Sequence, residues 1–301
     1  MEKFKKVLVG LDLTQMDEIL IQRTNNLVKL FGIETVYFVH VTKDQPLSED
    51  IAKTYPNLSA DSEGIKNGIT AAINQIGAPE GAVFEVEVKD GHPTEVFLQL
   101  AKEKDIDLII VGRKVEKKGS GSLSKVIAQK SPCSVLFITE YMENKYPDNI
   151  MVPIDFSSYS ALSLNLVQNI IQDTNKIKCY HIYEIPSGYT KTGKTFSEFA
   201  DIMLENSKKD YQRFIQKHGF PEFECTFMRK TDRNRAKILM TAAKNEGVDF
   251  IVIGSRGRTN SASLLIGSVA EKIISRNKRI PMLILKKKGE NMRFLEALFR
   301  I

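Results

Sequence analysis

Short apolar runs alternate along this chain with longer stretches in which apolar residues recur at helical spacing. Residues 248–253 form one such run, rich in β-branched side chains, which is typical of a buried parallel strand. The same spacing predicts a helix starting at Ser268, with Val269, Ile273 and Ile274 on its apolar face. Further helices are predicted over residues 17–31, 63–76, 94–104, 158–172, 196–218 and 234–245. The alternation predicts an α/β fold of βαβ units, with a mostly parallel sheet covered by helices on both faces.

The pattern also repeats. Residues 6–12, 37–41, 105–112 and 134–138 recur as residues 149–155, 178–182, 247–254 and 281–285, at offsets between 141 and 147. Near-constant offsets over four predicted strands indicate a tandem duplication of one domain. Each copy has a common domain size. We expect domains at residues 1–146 and 147–301, with the boundary near Tyr146 in the polar stretch 140–148.

Composition narrows the class of protein. The chain has no apolar run long enough to span a bilayer, and its first residues lead directly into a predicted strand rather than a signal peptide. Its three cysteines, Cys133, Cys179 and Cys225, have neither paired spacing nor an even count. They favour a reducing compartment and buried thiols over a disulfide framework or a zinc site. The expectation is a cytoplasmic protein without membrane contact.

Positive charge collects in the second copy. Residues 1–147 carry 18 Lys and Arg against 21 Asp and Glu, and the remainder carries 25 against 16. A basic half is compatible with nucleic-acid binding. However, no recognisable nucleic-acid module accompanies the charge. We interpret it as a solvated face plus one anion site, so nucleic acid is not an expected partner.

The candidate anion site is a glycine motif at the end of the predicted strand 248–253. Gly254 and Gly257 are followed by nine residues and then by Gly267 and Ser268, which open the next helix. Glycine permits close approach of the backbone to a ligand, and the amides at a helix N-terminus attract anions. The arrangement suits a phosphate chain. The alternative, that these glycines only form turns and caps, stays open on spacing alone.

Two better-known phosphate motifs do not match. No Gly-Lys-Ser/Thr closes the loop, as a P-loop requires, and the dinucleotide fingerprint belongs after a first strand.

The motif Gly254-x2-Gly257-x9-Gly267-Ser268 resembles the ATP-binding signature of the universal stress protein family, and the resemblance covers both copies. It implies a doubly wound, Rossmann-like domain with a five-stranded parallel sheet in each copy. It implies that Asp155 lies beside the adenosine moiety and that Ile182 offers its backbone to the adenine edge. The four motif residues would contact ribose and phosphates. ATP is the implied cofactor, with Mg²⁺ to neutralise its charge.

Several of these residues have a second interpretation. Asp155 is also suited to capping the helix predicted from Ser158, and the Ile182 side chain to filling the core. His40 and His181 occupy equivalent places in the two copies, and we interpret both as packed core histidines.

The first copy departs from the motif. Val115 stands where the second copy has Gly257, and the helix opens at Gly121-Ser122 or, in another register, at Gly119-Ser120. Either register shortens the loop. The prediction is therefore one nucleotide site per chain, in the second copy. In the first copy, Gly91-His92-Pro93 resembles the family's turn between the third strand and the next helix. The second copy has Thr231-Asp-Arg-Asn234 there, and Asp232 or Asn234 is expected to cap the next helix instead.

The sequence predicts a stress-response regulator or interaction switch that binds ATP with little or no hydrolysis, because no nucleophile, acid–base pair or metal cluster stands out. A nucleotide-independent scaffold is the alternative. The family resemblance implies pairing through the last strand, so residues 134–138 and 281–285 are expected to pair within one chain as a pseudo-dimer or between chains as a homodimer. A third possibility is an adenylyl-transferring enzyme or pyrophosphatase on a related fold, but such enzymes use Ser-Gly-Gly or His-x-x-His motifs at the first strand, which both copies lack. The insert at residues 42–61 has no predicted structure, and the insert at residues 184–197 is expected to be a mobile flap or a disordered loop. The amphipathic tail 292–301 is expected to dock on its own domain or on a partner.

Overall fold

Strands and helices alternate along the chain. The computed structural model describes residues 4–42, 61–77, 80–114, 120–142, 147–171, 173–258 and 265–299. Their strands are β1 (Lys6–Leu11), β2 (Thr35–Thr42), β3 (Val83–Asp90), β4 (Leu108–Arg113), β5 (Ser134–Thr139), β6 (Ile150–Ile154), β7 (Ile177–Tyr183), β8 (Glu224–Arg229), β9 (Phe250–Gly254) and β10 (Met282–Leu285). Their α-helices are α1 (Met16–Phe31), α2 (Ser62–Ile76), α3 (Pro93–Glu103), α4 (Ser120–Lys130), α5 (Ser158–Ile170), α6 (Phe196–His218), α7 (Arg235–Asn245), α8 (Ser268–Arg276) and α9 (Met292–Phe299).

The chain forms two compact units. One contains Met1–Asn144 together with Pro281–Ile301, and the other contains Lys145–Ile280. In the first unit, β3, β2, β1, β4 and β5 are neighbours in that order and parallel, the order of a doubly wound sheet. In the second, β9, β6, β7 and β8 are parallel neighbours. The predicted α/β class and mostly parallel sheets are confirmed.

Strand β10 groups with the first unit rather than with the repeat that precedes it. It pairs antiparallel with β5, with Leu283 opposite Leu136 and Ile284 opposite Val135. The pairing that the sequence suggested between these two segments is therefore present within one chain. The predicted boundary at Tyr146 lies outside the described residues, so the domain limits 1–146 and 147–301 stay a prediction.

The two repeats share fine backbone detail. Leu13 and Phe156, each directly after the aspartate that follows the first strand, have positive φ of 58° and 64°. Nδ1 of His40 lies 3.0 Å from the carbonyl oxygen of Leu11, and Nδ1 of His181 lies 3.0 Å from that of Ile154. Left-handed backbone is uncommon outside glycine. Its recurrence at matching positions fits a duplicated domain.

The tail of the second repeat packs on the first unit. Helix α9 contacts α3, and Leu295 is completely buried there. Lys286 is also buried, and its Nζ donates to the carbonyl oxygens of Ser131 at 2.9 Å and Gln129 at 3.2 Å. These carbonyls lie at the end of α4, where the helix dipole favours a cation. The tail thus docks within the chain, on the first unit.

The two inserts have different outcomes. Residues 43–60 lie outside the described residues. The second insert forms a 3₁₀ helix over Ser187–Thr192, and Thr195 then caps α6 through a reciprocal pair with Glu198. The segment therefore has regular local structure, and its role as a flap over a ligand stays a prediction.

Candidate functional site

The described part of the second unit has a cleft of about 290 Å³ at the carboxyl ends of its parallel strands, where open α/β sheets bind ligands. All six residues that the sequence singled out line it: Asp155, Ile182, Gly254, Gly257, Gly267 and Ser268. They come from the ends of β6, β7 and β9 and from the start of α8. Residues 259–264 of the glycine loop lie outside the described residues.

Asp155 organises the loop and the start of α5. Its Oδ1 accepts hydrogen bonds from Ser160 Oγ at 2.8 Å and from the Ser157 amide at 3.1 Å, while Oδ2 accepts the Arg258 amide at 2.9 Å. Burial alone would raise the pKa of this carboxyl. The hydrogen bonds from Ser157, Arg258 and Ser160 outweigh burial and hold the pKa below its ordinary value. The N-cap of α5 itself is Ser157, whose side chain accepts the Ser160 amide.

The motif glycines make room for protein atoms. A Cβ on Gly257 would lie 2.5 Å from Oδ2 of Asp155, and one on Gly254 would lie 2.5 Å from Cβ of Tyr159. A Cβ on Gly267 would lie 3.2 Å from the carbonyl oxygen of Ser255. None of the three has a positive φ. Their requirement for glycine therefore has a cause inside the fold, in addition to the ligand approach expected from sequence.

Helix α8 directs its first amides at the cleft. Its first intrahelical bond joins the Glu271 amide to the Gly267 carbonyl at 3.0 Å, so the amides of residues 268–270 have no partner within the helix. The Gly267 amide donates to the carbonyl of Ser255 at 2.7 Å. The Gly267 amide is therefore engaged inside the fold, and a contact of Gly267 with a phosphate stays a prediction. Ser268, Val269 and Ala270 also line the cleft.

His181 forms part of the cleft wall. Its ring stacks on Phe156, with centroids 4.3 Å apart, and only about 5% of the residue is exposed. Because Nδ1 faces the Ile154 carbonyl, it carries the proton. Burial lowers the pKa of the imidazole, so the ring is neutral at pH 7. It is packed in the core, as its apolar surroundings predicted, but it also faces the ligand space.

Three arginines line the same cleft, namely Arg235, Arg256 and Arg258. Arg256 and Arg258 stand within the glycine motif, where the sequence already placed positive charge. Sequence reasoning missed Arg235, at the start of α7. A comparison of the two repeats could have pointed to it, because Arg235 matches Pro93 at the offset of 142 that relates Gly112 to Gly254, and the repeats thus differ in charge at this position.

The turn before α7 differs from its predicted cap. Asn234 stands at the N-cap position without a side-chain cap, while Oδ1 of Asp232 accepts the Asn234 amide at 2.8 Å.

No group of three or more His, Cys, Asp or Glu side chains suited to a metal ion occurs among the described residues. Cys133 and Cys179 are buried, and burial raises the pKa of the Cys133 thiol to about 12. That thiol is protonated and a poor nucleophile near neutral pH. The part of the chain that the structure covers also has no helix long and apolar enough to cross a membrane.

A family model described as the universal stress protein family matches residues 3–139 and, a second time, residues 147–286. This chain belongs to the universal stress protein family.

Both repeats are universal stress protein domains in tandem. A universal stress protein of Methanocaldococcus jannaschii is 26% identical over 159 residues, which cover 46% of this chain and 95% of that protein. A functionally unknown protein of Pseudomonas aeruginosa matches 99% of the chain with 98% of its own, at a TM-score of 0.66 and 14% identity. A universal stress protein of Archaeoglobus fulgidus covers 95% of this chain with 99% of its own chain, at a TM-score of 0.63 and 19% sequence identity. The two structures share the fold over nearly the whole chain.

The aspartate after the first strand has a side-chain partner in the first universal stress protein domain. Lys114 Nζ lies 2.5 Å from Oδ2 of Asp12 and 2.5 Å from Oγ1 of Thr14. In the second domain the matching carboxylate oxygen accepts a backbone amide instead. Helix α4 begins at Ser120, in agreement with the register Gly119-Ser120 rather than Gly121-Ser122. Val115 and Gly119 lie outside the described residues.

Proposed function

We propose that this chain is an ATP-binding universal stress protein with one nucleotide site, in the cleft of the second unit. One observation carries the proposal. The amides of residues 268–270 at the start of α8 and three arginines converge on one cleft at the carboxyl edge of a parallel sheet. Helix amides and guanidinium groups are the donors that bind phosphate most effectively.

The parts of the nucleotide are assigned by position. The backbone of Ile182, at the end of β7, faces the adenine edge, and the wall formed by His181 supplies a flat surface beside it. The Ser268 hydroxyl and the α8 amides face the phosphates. Asp155 lies beside the adenosine moiety. Both of its carboxylate oxygens already accept hydrogen bonds from the protein, and one of these bonds, from the Arg258 amide, holds the glycine loop.

Mg²⁺ fits this site through the nucleotide more than through the protein. Magnesium prefers carboxylate and phosphate oxygens. The described cleft offers Asp155, which is engaged in the loop, and the hydroxyl of Ser268. Three arginines supply positive charge near the phosphates, which the sequence had led us to expect from Mg²⁺. Where Mg²⁺ binds, we propose that Ser268 and the phosphates hold it, and that it neutralises phosphate charge.

The role is that of a cytoplasmic regulator or interaction switch in the stress response, with little or no hydrolysis. Hydrolysis needs a group that positions or activates water. The carboxylate of Asp155 is committed to three hydrogen bonds and is therefore poorly arranged as a general base. His181 is only about 5% exposed and its ring stacks on Phe156, which limits the access of water to Nε2.

The second candidate is a scaffold that works without nucleotide. It is favoured by the antiparallel pairing of β5 with β10 and by the docking of α9 on the first unit. These contacts use within one chain a strand edge that would otherwise join a second chain. An internal pseudo-dimer of this kind acts through its surfaces.

Mass spectrometry of the ligand released from freshly purified protein separates the two. We expect adenine nucleotide at about one equivalent, reduced in Ser268→Ala, which removes one hydroxyl donor. Ser275→Ala, near the other end of α8, is the matched control, because its hydroxyl only bonds the Glu271 carbonyl. A wild-type protein that is empty and also ignores added ATP in calorimetry would favour the scaffold.

A further inference from the structure

Arg235 gives the cleft of the second unit a charge that the first unit lacks at the same place. Helix α3 begins with Pro93, and α7 begins with Arg235 at the matching position. Proline is common in a first helical turn because its missing amide proton is not needed there. An arginine has no such local advantage. Arg235 is also one of the residues that line the cleft.

The guanidinium of Arg235 is shared with Glu184. Nη2 of Arg235 lies 2.7 Å from Oε2 of Glu184, whose Oε1 lies 2.5 Å from Nζ of Lys230. Glu184 directly follows β7, and the Lys230 amide donates to the Tyr183 carbonyl at 2.8 Å. Lys230, followed by Arg235, keeps the pKa of Glu184 below its ordinary value, so this carboxylate is ionised at neutral pH.

This ion pair is at the solvent boundary. The side chains of Arg235 and Glu184 are 42% and 48% exposed. Exposed pairs contribute at most about fivefold to an equilibrium constant. A triphosphate carries several negative charges and binds a guanidinium through two hydrogen bonds at once. A phosphate group that enters the cleft can therefore take Arg235 from Glu184.

We propose that Arg235 binds a phosphate group of the cleft's nucleotide and that Glu184 is a built-in competitor for the same guanidinium. The inference rests on the proposed nucleotide site and adds its charge selectivity. Glu184 weakens the affinity for phosphorylated ligands, and Arg235 strengthens it. Neither residue affects the affinity for the uncharged nucleoside.

The test measures dissociation constants for ATP and for adenosine by calorimetry on the full chain at low salt. Arg235→Gln is expected to weaken the affinity for ATP about tenfold, the effect of losing one charge-assisted hydrogen bond. The same variant should change the affinity for adenosine less than about twofold. Glu184→Gln is expected to strengthen the affinity for ATP by about two- to fivefold. The double variant should match Arg235→Gln alone, because the competitor then has no guanidinium to occupy.

Lys237→Gln is the matched control. Lys237 is on the same helix and pairs with Asp232 at 3.0 Å, but it is not among the described residues that line the cleft. It removes the same charge and should change ATP affinity less than about threefold. Arg235→Lys keeps the charge but lacks the planar guanidinium, so its affinity for ATP should lie between those of the wild type and Arg235→Gln.

Three outcomes would overturn the inference while leaving the nucleotide site in place. The first is an equal loss of affinity for ATP and for adenosine in Arg235→Gln. The second is a weaker affinity for ATP in Glu184→Gln. The third is an equal change in ATP affinity in Lys237→Gln and Arg235→Gln. Circular dichroism and thermal melting identify any variant that has lost its fold, and Arg235→Lys then decides. A wild-type chain that binds neither ATP nor adenosine would refute the proposed function and this inference together.

Discussion

The backbone amide of Arg258 donates a 2.9 Å hydrogen bond to Oδ2 of Asp155, 103 residues earlier in the chain. The bond joins the glycine loop to the end of β6. It is sterically compatible only with glycine at position 257, where a Cβ would lie 2.5 Å from the same oxygen. The spacing that marks the family motif is thus also a packing requirement inside the protein.

Gly257→Ala should disturb this contact. The added methyl must displace either the loop or the Asp155 carboxylate, and ATP affinity should fall by tenfold or more, with a loss of about 1–3 kcal/mol in the free energy of unfolding. Calorimetry and urea denaturation measure the two effects. Gly188→Ala is the control, because a Cβ there meets nothing within 4 Å and φ is not positive. Equal behaviour of the two variants would contradict this account.

Asp155→Asn should lower the free energy of unfolding by about 1–3 kcal/mol at pH 7, since the side-chain amide cannot accept all three hydrogen bonds as strongly as the carboxylate. The folded pKa of Asp155 lies below the unfolded one. Its stabilising contribution is therefore present above the unfolded pKa, about 3.9, and is lost as pH falls through the folded pKa.

The difference between wild type and Asp155→Asn, followed by denaturant unfolding from pH 7 downward, should accordingly narrow below about pH 4. Asp201→Asn, at an exposed position on α6, serves as the control. A difference that stays constant down to pH 2.5 would mean that the charge of Asp155 is not involved.

Lys286→Met should destabilise the first unit. The variant keeps most of the buried stem but removes the ammonium that bonds the carbonyls of Gln129 and Ser131, at an expected cost of about 1–3 kcal/mol in unfolding free energy. Lys287→Met, at the exposed neighbouring position, should change stability by less than about 0.5 kcal/mol. Similar losses in both variants would rule out a specific role for the Lys286 ammonium.

Saturation should be reached at one ATP per chain. In the first unit Lys114 already neutralises Asp12, and Val115 replaces the glycine that the loop contact requires. Native mass spectrometry of the full chain counts the bound nucleotides directly. Ser268→Ala should lower the occupancy of this single site, whereas two nucleotides on the wild-type chain would require a functional cleft in the first unit as well.

The sequence alone determined the architecture. Apolar periodicity and the repeat offset predicted α6 at its observed limits and placed several other helices within one or two residues. Such patterns suffice because helix and strand formation depend on neighbours close in the chain, and burial of one face sets the period. The glycine spacing pointed to four of the residues that line the cleft, and the family resemblance implied the other two, Asp155 and Ile182.

Tertiary structure decided which atoms those residues use. Only the packed loop shows that the Gly267 amide is occupied by Ser255, that Gly257 is required beside Asp155, and that Arg235 reaches the cleft. Only the fold shows that α9 packs on α3 and that Lys286 bonds the carbonyls of Gln129 and Ser131. These contacts join residues far apart in sequence, and no local pattern encodes them because their energies depend on three-dimensional proximity and burial.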